Sequence, residues 1–280
     1  AKDIDAQFLF ASNITMAKYK EMFSPKAFDY IIVDECHHST ASTYVSILEY
    51  FKPEFLLGLT ATPERMDNAD VLGMFSANVP YELRLREAIM NGLVVPFKYY
   101  GVRDQLVSYG ASKQEEMKFQ TEAVSEENIE FIHEEIEKHR SEGKLKALVF
   151  CKNVTHAYAM SEALSKYYSS TCLTGRNTVG ERIRVYNELQ DDQSPLEVLC
   201  TVDILNEGVD IPGVNMVVFL RPTESSTIFI QQLGRGLRKY EGKEYVTVLD
   251  FIGNSYKRSV QMVLALGSLS ENLVMEKRLM

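Results

Sequence analysis

The sequence predicts an α/β protein built from two domains, each with a parallel β-sheet. Short aliphatic segments alternate along the chain with segments of helical spacing, which is the pattern of strand–helix–strand units. The aliphatic segments are apolar at consecutive positions, as strands are when helices cover both sheet faces. At 280 residues the chain is long enough for two ordinary domains.

The first domain is predicted to span residues 1–107 and to alternate strand with helix. Three of its helices are predicted to end at residues that terminate helices: Ser24-Pro25, Pro53 and Gly92. The predicted strands are residues 8–11, 30–33, 55–59 and 94–102, and the predicted helices are residues 14–23, 43–50, 69–75 and 83–91.

The polar segment 108–124, rich in Lys, Gln and Glu, is predicted to be a linker, and residues 125–258 form the second domain. Ser125 is a typical N-cap for the helix that follows it. The remaining strands are expected at 145–151, 171–174, 196–201, 214–220 and 245–249, with helices at 155–168, 178–189 and 227–233. Residues 259–280 are predicted to be a helical tail.

Composition limits the classes of protein to which this chain can belong. A hydrophobic content of 45% is that of a soluble protein, and no apolar run approaches the roughly 20 residues that cross a bilayer. A cytoplasmic location without membrane contact is therefore the default expectation. The four cysteines form no C-x-x-C pair and are predicted to be core thiols. A net charge of −9 leans away from nucleic acid, although a locally basic groove remains compatible with it.

Two adjacent carboxylates follow one of the buried strands. Asp34 and Glu35 come directly after Tyr30-Ile31-Ile32-Val33, and Cys36-His37-His38 follow them. P-loop NTPases use carboxylates at such a strand end to hold Mg²⁺ and activate water. The alternative is an acidic strand end that simply reaches solvent. A metal site at Cys36, His37 and His38 is a weaker interpretation, because no second Cys/His cluster completes it.

Hydroxyl residues follow the next buried strand. Thr60 and Thr62 lie in Gly58-Leu59-Thr60-Ala61-Thr62-Pro63, and they could equally be caps where a strand meets a helix. Their place on the strand after the carboxylates favours a functional role.

Two later segments carry further candidates. Arg235 and Arg238 are three residues apart, so they share one helical face, and Gln231 precedes them. A solvated basic face would not require the accompanying Gln and Gly. The second segment, 201–212, ends in Glu-Gly-Val-Asp-Ile-Pro, where Gly208 permits close approach to the backbone or simply forms a turn.

Taken in their order along the chain, over roughly residues 8–254, the segments resemble the motifs of the superfamily 2 helicases and translocases. The resemblance implies two RecA-like domains and an ATP and Mg²⁺ site between them. Asp34 would hold Mg²⁺ through water, Glu35 would polarise the attacking water, and His37 would relay contact toward the second domain. Arg235 and Arg238 would be arginine fingers.

The same resemblance assigns the remaining candidates. Gly208, Asp210 and Gln231 would contact the nucleotide, while Thr60 and Thr62 would link nucleotide state to the grip on nucleic acid. Thr201 would touch a backbone phosphate, and Thr15 lies where a nucleic-acid-contacting motif belongs. The motif spellings are most similar to the group of type III restriction subunits and excision-repair helicases, which implies DNA. The RNA-directed DEAD-box branch would show Asp-Glu-Ala-Asp and Ser-Ala-Thr.

The chain contains no Gly-x-x-x-x-Gly-Lys-[Ser/Thr] phosphate loop. Gly175 and Gly180 have the glycine spacing, but Glu181 and Arg182 stand where Lys-[Ser/Thr] should be. We therefore expect the first domain to be incomplete and the chain to be a fragment of an ATP-dependent DNA helicase or double-strand translocase. Taken alone, it should hydrolyse no ATP, bind ATP and Mg²⁺ weakly, and tend to self-associate through apolar surface near Leu57 and Leu59.

One alternative from a different class stays open: a nucleic-acid-binding or regulatory module without ATP turnover of its own. A stand-alone metal-dependent hydrolase using Asp34 and Glu35 would need more ligands than the motifs supply.

Overall fold

The structure is a computed structural model of the 280-residue chain, and it describes residues 4, 6–36, 42–60, 71–103, 107, 113–202, 211–221, 233–234 and 236–251. The chain divides into two compact units, Ala1–Glu82 and Leu83–Met280, called here the first and second units. Among the described residues, no helix has the length and apolarity needed to cross a membrane.

The described part of the first unit is a two-stranded parallel sheet with short helices. Strands β1 (Tyr30–Val33) and β2 (Phe55–Gly58) pair in register, from Tyr30 opposite Phe55 to Val33 opposite Gly58. The helices are α1 (Asn13–Tyr19), which continues as a 3₁₀ turn over Lys20–Met22, then α2 (Ser42–Tyr50) and α3 (Val71–Met74). The predicted strands 30–33 and 55–59 and helix 43–50 are thus confirmed within a residue or two.

The strand predicted at residues 8–11 is wrong, because this segment is irregular in the structure. Phe8 and Phe10 are 75% and 93% exposed. A strand forms where a neighbour accepts its ladder hydrogen bonds, and in the described part of this unit β1 and β2 pair with each other alone. Apolar side chains of β1 are exposed as well: Tyr30 is 70% and Ile32 62% exposed, although the sequence predicted that both faces of this strand are buried.

The second unit is a six-stranded parallel sheet in the order β3-β8-β7-β4-β6-β5. Its strands are β3 (Phe97–Val102), β4 (Ala147–Phe150), β5 (Ser170–Leu173), β6 (Val198–Thr201), β7 (Met216–Phe219) and β8 (Val246–Phe251). Its helices are α4 (Leu85–Met90), α5 (Lys113–Glu122), α6 (Glu126–His139), α7 (Val154–Leu164) and α8 (Val179–Gln190).

Helices cover both faces of this sheet, as the continuous apolar strands predicted. Successive strand residues point to opposite faces, so two separate cores form. One core contains α6 and α7 residues, among them Ile132, Ile136 and Met160. The other contains Val185 and Leu189 of α8 together with Leu233 and Leu237.

Helix caps fix the starts of α6, α7 and α8. The side chains of Ser125, Asn153 and Thr178 each accept a hydrogen bond from a backbone N–H in the first turn. Thr178 and Glu181 form a reciprocal capping box. This explains why Glu181 stands where a phosphate loop would have lysine, and it agrees with dismissing residues 175–180 as a nucleotide loop.

The domain boundaries differ from those predicted. β3, predicted to belong to a first domain of residues 1–107, pairs along its whole length with β8 of the second unit, and the division falls after Glu82. A strand's own sequence does not specify which sheet edge it joins, so the pattern placed β3 with its neighbours along the chain.

The predicted linker 108–124 contains α5, whose Phe119 is fully buried. Among the described side chains of α5, Phe119 is buried and most of the others are exposed, which accounts for the polar composition of the helix. The predicted helical tail, 259–280, and the predicted helix 227–233, apart from Leu233, lie outside the described residues.

Candidate active site

The two carboxylate residues form a turn at the carboxyl end of β1. Leu59 N–H donates to the Val33 carbonyl at 2.9 Å, and Cys36 N–H donates to the Leu59 carbonyl at 2.9 Å. Leu59 is therefore hydrogen-bonded to the residues on either side of Asp34 and Glu35. These two residues form a turn outside the hydrogen-bonded pairing of β1 with β2. Polar residues in a turn at the carboxyl end of a parallel strand are well placed to bind a ligand.

The turn has a strained conformation. Glu35 has φ +50°, in the left-handed region that non-glycine residues adopt at a cost of roughly 1–2 kcal/mol. The Asp34 Oδ1 atom accepts a hydrogen bond from Glu35 N–H at 3.0 Å. Asp34 is exposed and Glu35 half-buried, so the first carboxylate is open to a hydrated cation while the second is more sheltered.

Thr60 follows Leu59 directly, so the hydroxyl segment begins beside the acidic turn. The structure thus brings Thr60 close to the carboxylate pair Asp34 and Glu35, which the sequence had singled out as a separate segment. His37 and Thr62 lie outside the described residues.

Cys36 forms part of the apolar floor under this turn. Its side chain is 5% exposed and packs with Val33, Tyr44 and Phe75. Burial raises the pKa of the Cys36 thiol, and the negative charges of Glu35 and Asp34 raise it further. A neutral buried thiol is neither a nucleophile nor a metal ligand, which agrees with its prediction as a core residue.

The fit of this turn to Mg²⁺ rests on its donor set. Carboxylate oxygens are the ligands Mg²⁺ prefers, and it retains several waters in nucleotide sites. Among the described residues there is no cluster of three His, Cys, Asp or Glu side chains that could hold a metal by itself. Asp34 therefore suits an ion that shares its coordination with water and phosphate.

In the second unit, the arginine segment is anchored by its apolar residues. Leu233 and Leu237 are buried, and the Leu237 carbonyl accepts a hydrogen bond from Val95 N–H at 2.8 Å. Arg238, the next residue, is exposed. Arg235 and Gln231 lie outside the described residues.

Thr201 ends β6 with its side chain fully buried. Its hydroxyl Oγ1 has no hydrogen-bond partner in the structure, an unusual state for a buried hydroxyl. Contact between Thr201 and a nucleic-acid phosphate stays a prediction. Gly208 and Asp210 lie outside the described residues.

Thr15 lies in the first turn of α1, where it takes part in the helix cap. Its N–H donates to Ser12 Oγ at 3.2 Å, and Ser12 Oγ donates to Thr15 Oγ1 at 2.9 Å. Any contact between Thr15 and nucleic acid stays a prediction.

The sequence missed a cluster at the start of α7. The Lys152 ammonium lies 4.3 Å from the centre of the Phe119 ring, and the His156 ring meets Phe119 edge-on at 5.0 Å. His156 Nδ1 also accepts a hydrogen bond from Lys152 N–H at 3.2 Å. Helix α5 is thereby held against the start of α7. An isolated Phe119 in a polar stretch was the available signal.

Two family models match the chain at the segments that carry these residues. Residues 2–65 match the model of the type III restriction enzyme res subunit, and residues 127–240 match the helicase conserved C-terminal domain. The first match includes Asp34, Glu35 and Thr60, and the second includes Thr201 and Arg238.

Relatives and solved structures agree with these matches. The chain is 28% identical over 282 residues to a Saccharomyces cerevisiae protein, IRC3, that is named as an ATP-dependent helicase, covering 96% of the chain and 40% of that relative. It resembles the fragment structure of an HsdR subunit of a type I restriction enzyme from Vibrio vulnificus, with 28% identity and a TM-score of 0.68, over 86% of the chain and 46% of the HsdR fragment.

A more distant structure shows the fold alone. S. cerevisiae Dbp5 L327V, bound to RNA and ADP BeF3, is 15% identical with a TM-score of 0.60, over 96% of the chain and 65% of Dbp5. The chain thus spans less than half of the yeast helicase relative and of the HsdR fragment. Both family segments occur in the predicted order in an α/β fold of the RecA-like helicase type, so the chain is similar to the superfamily 2 helicases of the type III restriction-like group.

Proposed function

We propose that the chain is part of an ATP-dependent helicase or double-strand translocase that acts on DNA. The observation that carries the proposal is the acidic turn, where Leu59 fixes Val33 and Cys36 and leaves Asp34 and Glu35 outside the ladder beside Thr60. The turn presents one exposed and one half-buried carboxylate at a strand end, and phosphoryl transfer uses one residue to hold Mg²⁺ and another to position the nucleophile.

Each residue has a distinct part in the proposed reaction. Asp34 would hold hydrated Mg²⁺ through one of its waters, and the ion would supply neutralisation of phosphate charge there. Glu35 orients the attacking water, and its strained backbone and partial burial restrict where its carboxylate can lie. Arg238 neutralises charge on the transferred phosphoryl group.

The DNA part of the proposal rests on the similarity to restriction subunits. Residues 2–65 match the res subunit of type III restriction enzymes, and the HsdR structure at 28% identity belongs to a type I restriction enzyme. The alternative, a nucleic-acid-binding module without ATP turnover, is compatible with the same similarities. The two proposals differ in whether the protein hydrolyses ATP.

The test is Glu35→Gln in the full-length natural protein, with Glu49→Gln on the exposed face of α2 as the matched control. We expect Glu35→Gln to keep ATP affinity in isothermal titration and to lose DNA-stimulated phosphate release, while Glu49→Gln keeps both. Unchanged phosphate release by Glu35→Gln would overturn the catalytic role. If the full-length natural protein hydrolyses no ATP, the alternative of a nucleic-acid-binding module is favoured. If RNA but not DNA stimulates phosphate release, the proposed nucleic-acid substrate is RNA instead of DNA.

A further inference from the structure

Lys243 joins two segments that carry different motifs. Its ammonium Nζ donates to the Gly236 carbonyl at 2.7 Å and to the Pro212 carbonyl. Gly236 lies between the two candidate arginines, Arg235 and Arg238, and Pro212 closes the segment 201–212. Lys243 itself lies outside every motif singled out in the sequence.

The backbone of Lys243 is held in place from both sides. Lys243 N–H donates to the Tyr240 carbonyl at 3.1 Å, and Gly242 adopts φ +75°, a conformation that favours glycine. Three residues further on, β8 begins at Val246, which is fully buried. The lysine stem therefore extends from a tight turn that is attached to the sheet.

Other contacts also fix the backbone of the described part of the arginine segment. Gly236 packs so closely that a Cβ there would lie 3.3 Å from Val217 Cγ2, and the Leu237 carbonyl accepts from Val95 N–H. These contacts fix the two residues that precede Arg238. The Lys243 ammonium adds a charged bond to the same backbone and ties it to Pro212.

Lysine is chemically suited to this position. An ammonium has three N–H donors and no acceptor, so it can join two carbonyl oxygens that come from different segments. Bonds from a charged donor are stronger than those between neutral groups. A methionine of similar length would fill the space and leave both carbonyls without this partner.

We infer that Lys243 is a positioning residue for Arg238: by joining the Gly236 and Pro212 carbonyls, it holds the arginine segment in register with the end of the 201–212 segment. The inference rests on the proposed ATPase function, in which Arg238 acts on the phosphoryl group. Lys243 contacts neither nucleotide nor water in this role. Its removal should therefore lower kcat while leaving KM for ATP nearly unchanged, because the arginine acts in the transition state.

The chain supplies a matched control for this inference. Lys144 Nζ also joins two main-chain carbonyls, those of Asp191 at 2.6 Å and Ser194 at 2.5 Å, but neither belongs to a motif segment. Lys243→Met and Lys144→Met remove the same kind of contact from the same unit. A purely structural role predicts equal effects of the two substitutions on thermal stability and on kcat.

The experiment measures DNA-stimulated ATPase kinetics and Tm for both variants of the full-length natural protein, well below each Tm. We expect similar losses of Tm. We also expect kcat to fall on the order of 10- to 100-fold in Lys243→Met alone, the effect of a misplacement of about 1 Å. Lys243→Arg should recover part of that loss. Equal kcat values for Lys243→Met and Lys144→Met would overturn the inference.

A double substitution separates this inference from the proposed function. With Arg238→Ala in place, Lys243→Met should lower kcat no further, because the residue it positions is gone. If Arg238→Ala lowers kcat and Lys243→Met does not, the inference fails and the proposed function stands. If Arg238→Ala itself leaves kcat unchanged, the proposed role of the arginine fails first. Should Lys243→Met not fold, Lys243→Gln decides, and a wild-type kcat in that variant overturns the inference.

Discussion

Gly58 lies so close to Cys36 that a Cβ atom at Gly58 would come within 2.9 Å of the Cys36 Sγ atom. The same Cβ would lie 2.9 Å from two atoms of the Phe75 ring. Gly58 ends β2 and Cys36 follows the acidic turn, so the absence of a side chain at Gly58 lets the floor of the turn pack against β2.

The first prediction concerns this contact. Gly58→Ala should destabilise the first unit by about 1–3 kcal/mol, because the added methyl group must displace a buried sulfur and a ring. Urea unfolding of the full-length protein measures the loss. Gly175→Ala is the control, since a Cβ there meets nothing within 4 Å. Equal unfolding free energies for the two variants would contradict the packing argument.

The second prediction concerns the strain at Glu35. Its φ of +50° suits glycine, so Glu35→Gly should raise the unfolding free energy of the first unit by about 1 kcal/mol while abolishing ATP hydrolysis. Glu35→Gln keeps the strain and should unfold like the wild type. A stability for Glu35→Gly at or below that of Glu35→Gln would show that the backbone conformation costs little.

The sequence predicted most of the second unit, because its strands are uniformly apolar and its helices carry strong caps. Ser125 and Thr178 marked the starts of α6 and α8 within one residue. The sequence-based prediction failed where the available pairing partner decides whether a segment forms a strand and which sheet it joins. Phe8 to Ala11 has the composition of a strand but no strand conformation, and β3 joins the second sheet although it follows the first unit along the chain.

The same distinction applies to the residues of the candidate site. The sequence singled out Asp34, Glu35 and Arg238 because carboxylates and arginines are the residue types that phosphoryl-transfer chemistry uses. It could not find Lys243 or Phe119, whose significance depends on contacts with distant segments: the carbonyls of Pro212 and Gly236, and the Lys152 ammonium. A lysine or a phenylalanine by itself specifies no such contact.

The third prediction tests the docking of α5. Phe119 is fully buried against Lys152 and His156, so Phe119→Ala should cost about 3–5 kcal/mol of stability, or release α5 from the second unit. Met117, 66% exposed on the same helix, supplies the control Met117→Ala. Hydrogen exchange should show faster exchange throughout α5 in Phe119→Ala alone. Unchanged protection of α5 would contradict this docking.

The fourth prediction concerns Arg238 in the full-length natural protein. Arg238→Ala should lower DNA-stimulated ATP turnover on the order of 10³-fold, the loss expected for an arginine finger. Arg184→Ala, which removes an exposed arginine paired with Glu188 on α8, should leave turnover unchanged. Steady-state phosphate release measures both variants. Turnover within a few fold of wild type in Arg238→Ala would exclude the arginine from the reaction.

The last prediction concerns Asp250, a buried carboxyl on β8 that accepts a hydrogen bond from the Tyr99 hydroxyl at 2.6 Å. Burial raises the pKa of Asp250 from 3.8 to about 6, and the Tyr99 hydrogen bond opposes the rise. The folded state therefore binds a proton more tightly than the unfolded state. The resulting stabilisation is complete below pH 3.8 and is lost as pH rises through 6, an effect of about 3 kcal/mol.

Asp250→Asn keeps an acceptor for Tyr99 and removes the ionisation, so its stability relative to wild type should increase between pH 4.5 and 7.5. Tyr99→Phe removes the opposing hydrogen bond and should move the transition of the remaining carboxyl to higher pH. Urea unfolding at a series of pH values measures these differences and cancels the titration of groups that all variants share. A wild-type minus Asp250→Asn difference that does not change with pH would show that Asp250 keeps an ordinary pKa in the folded protein.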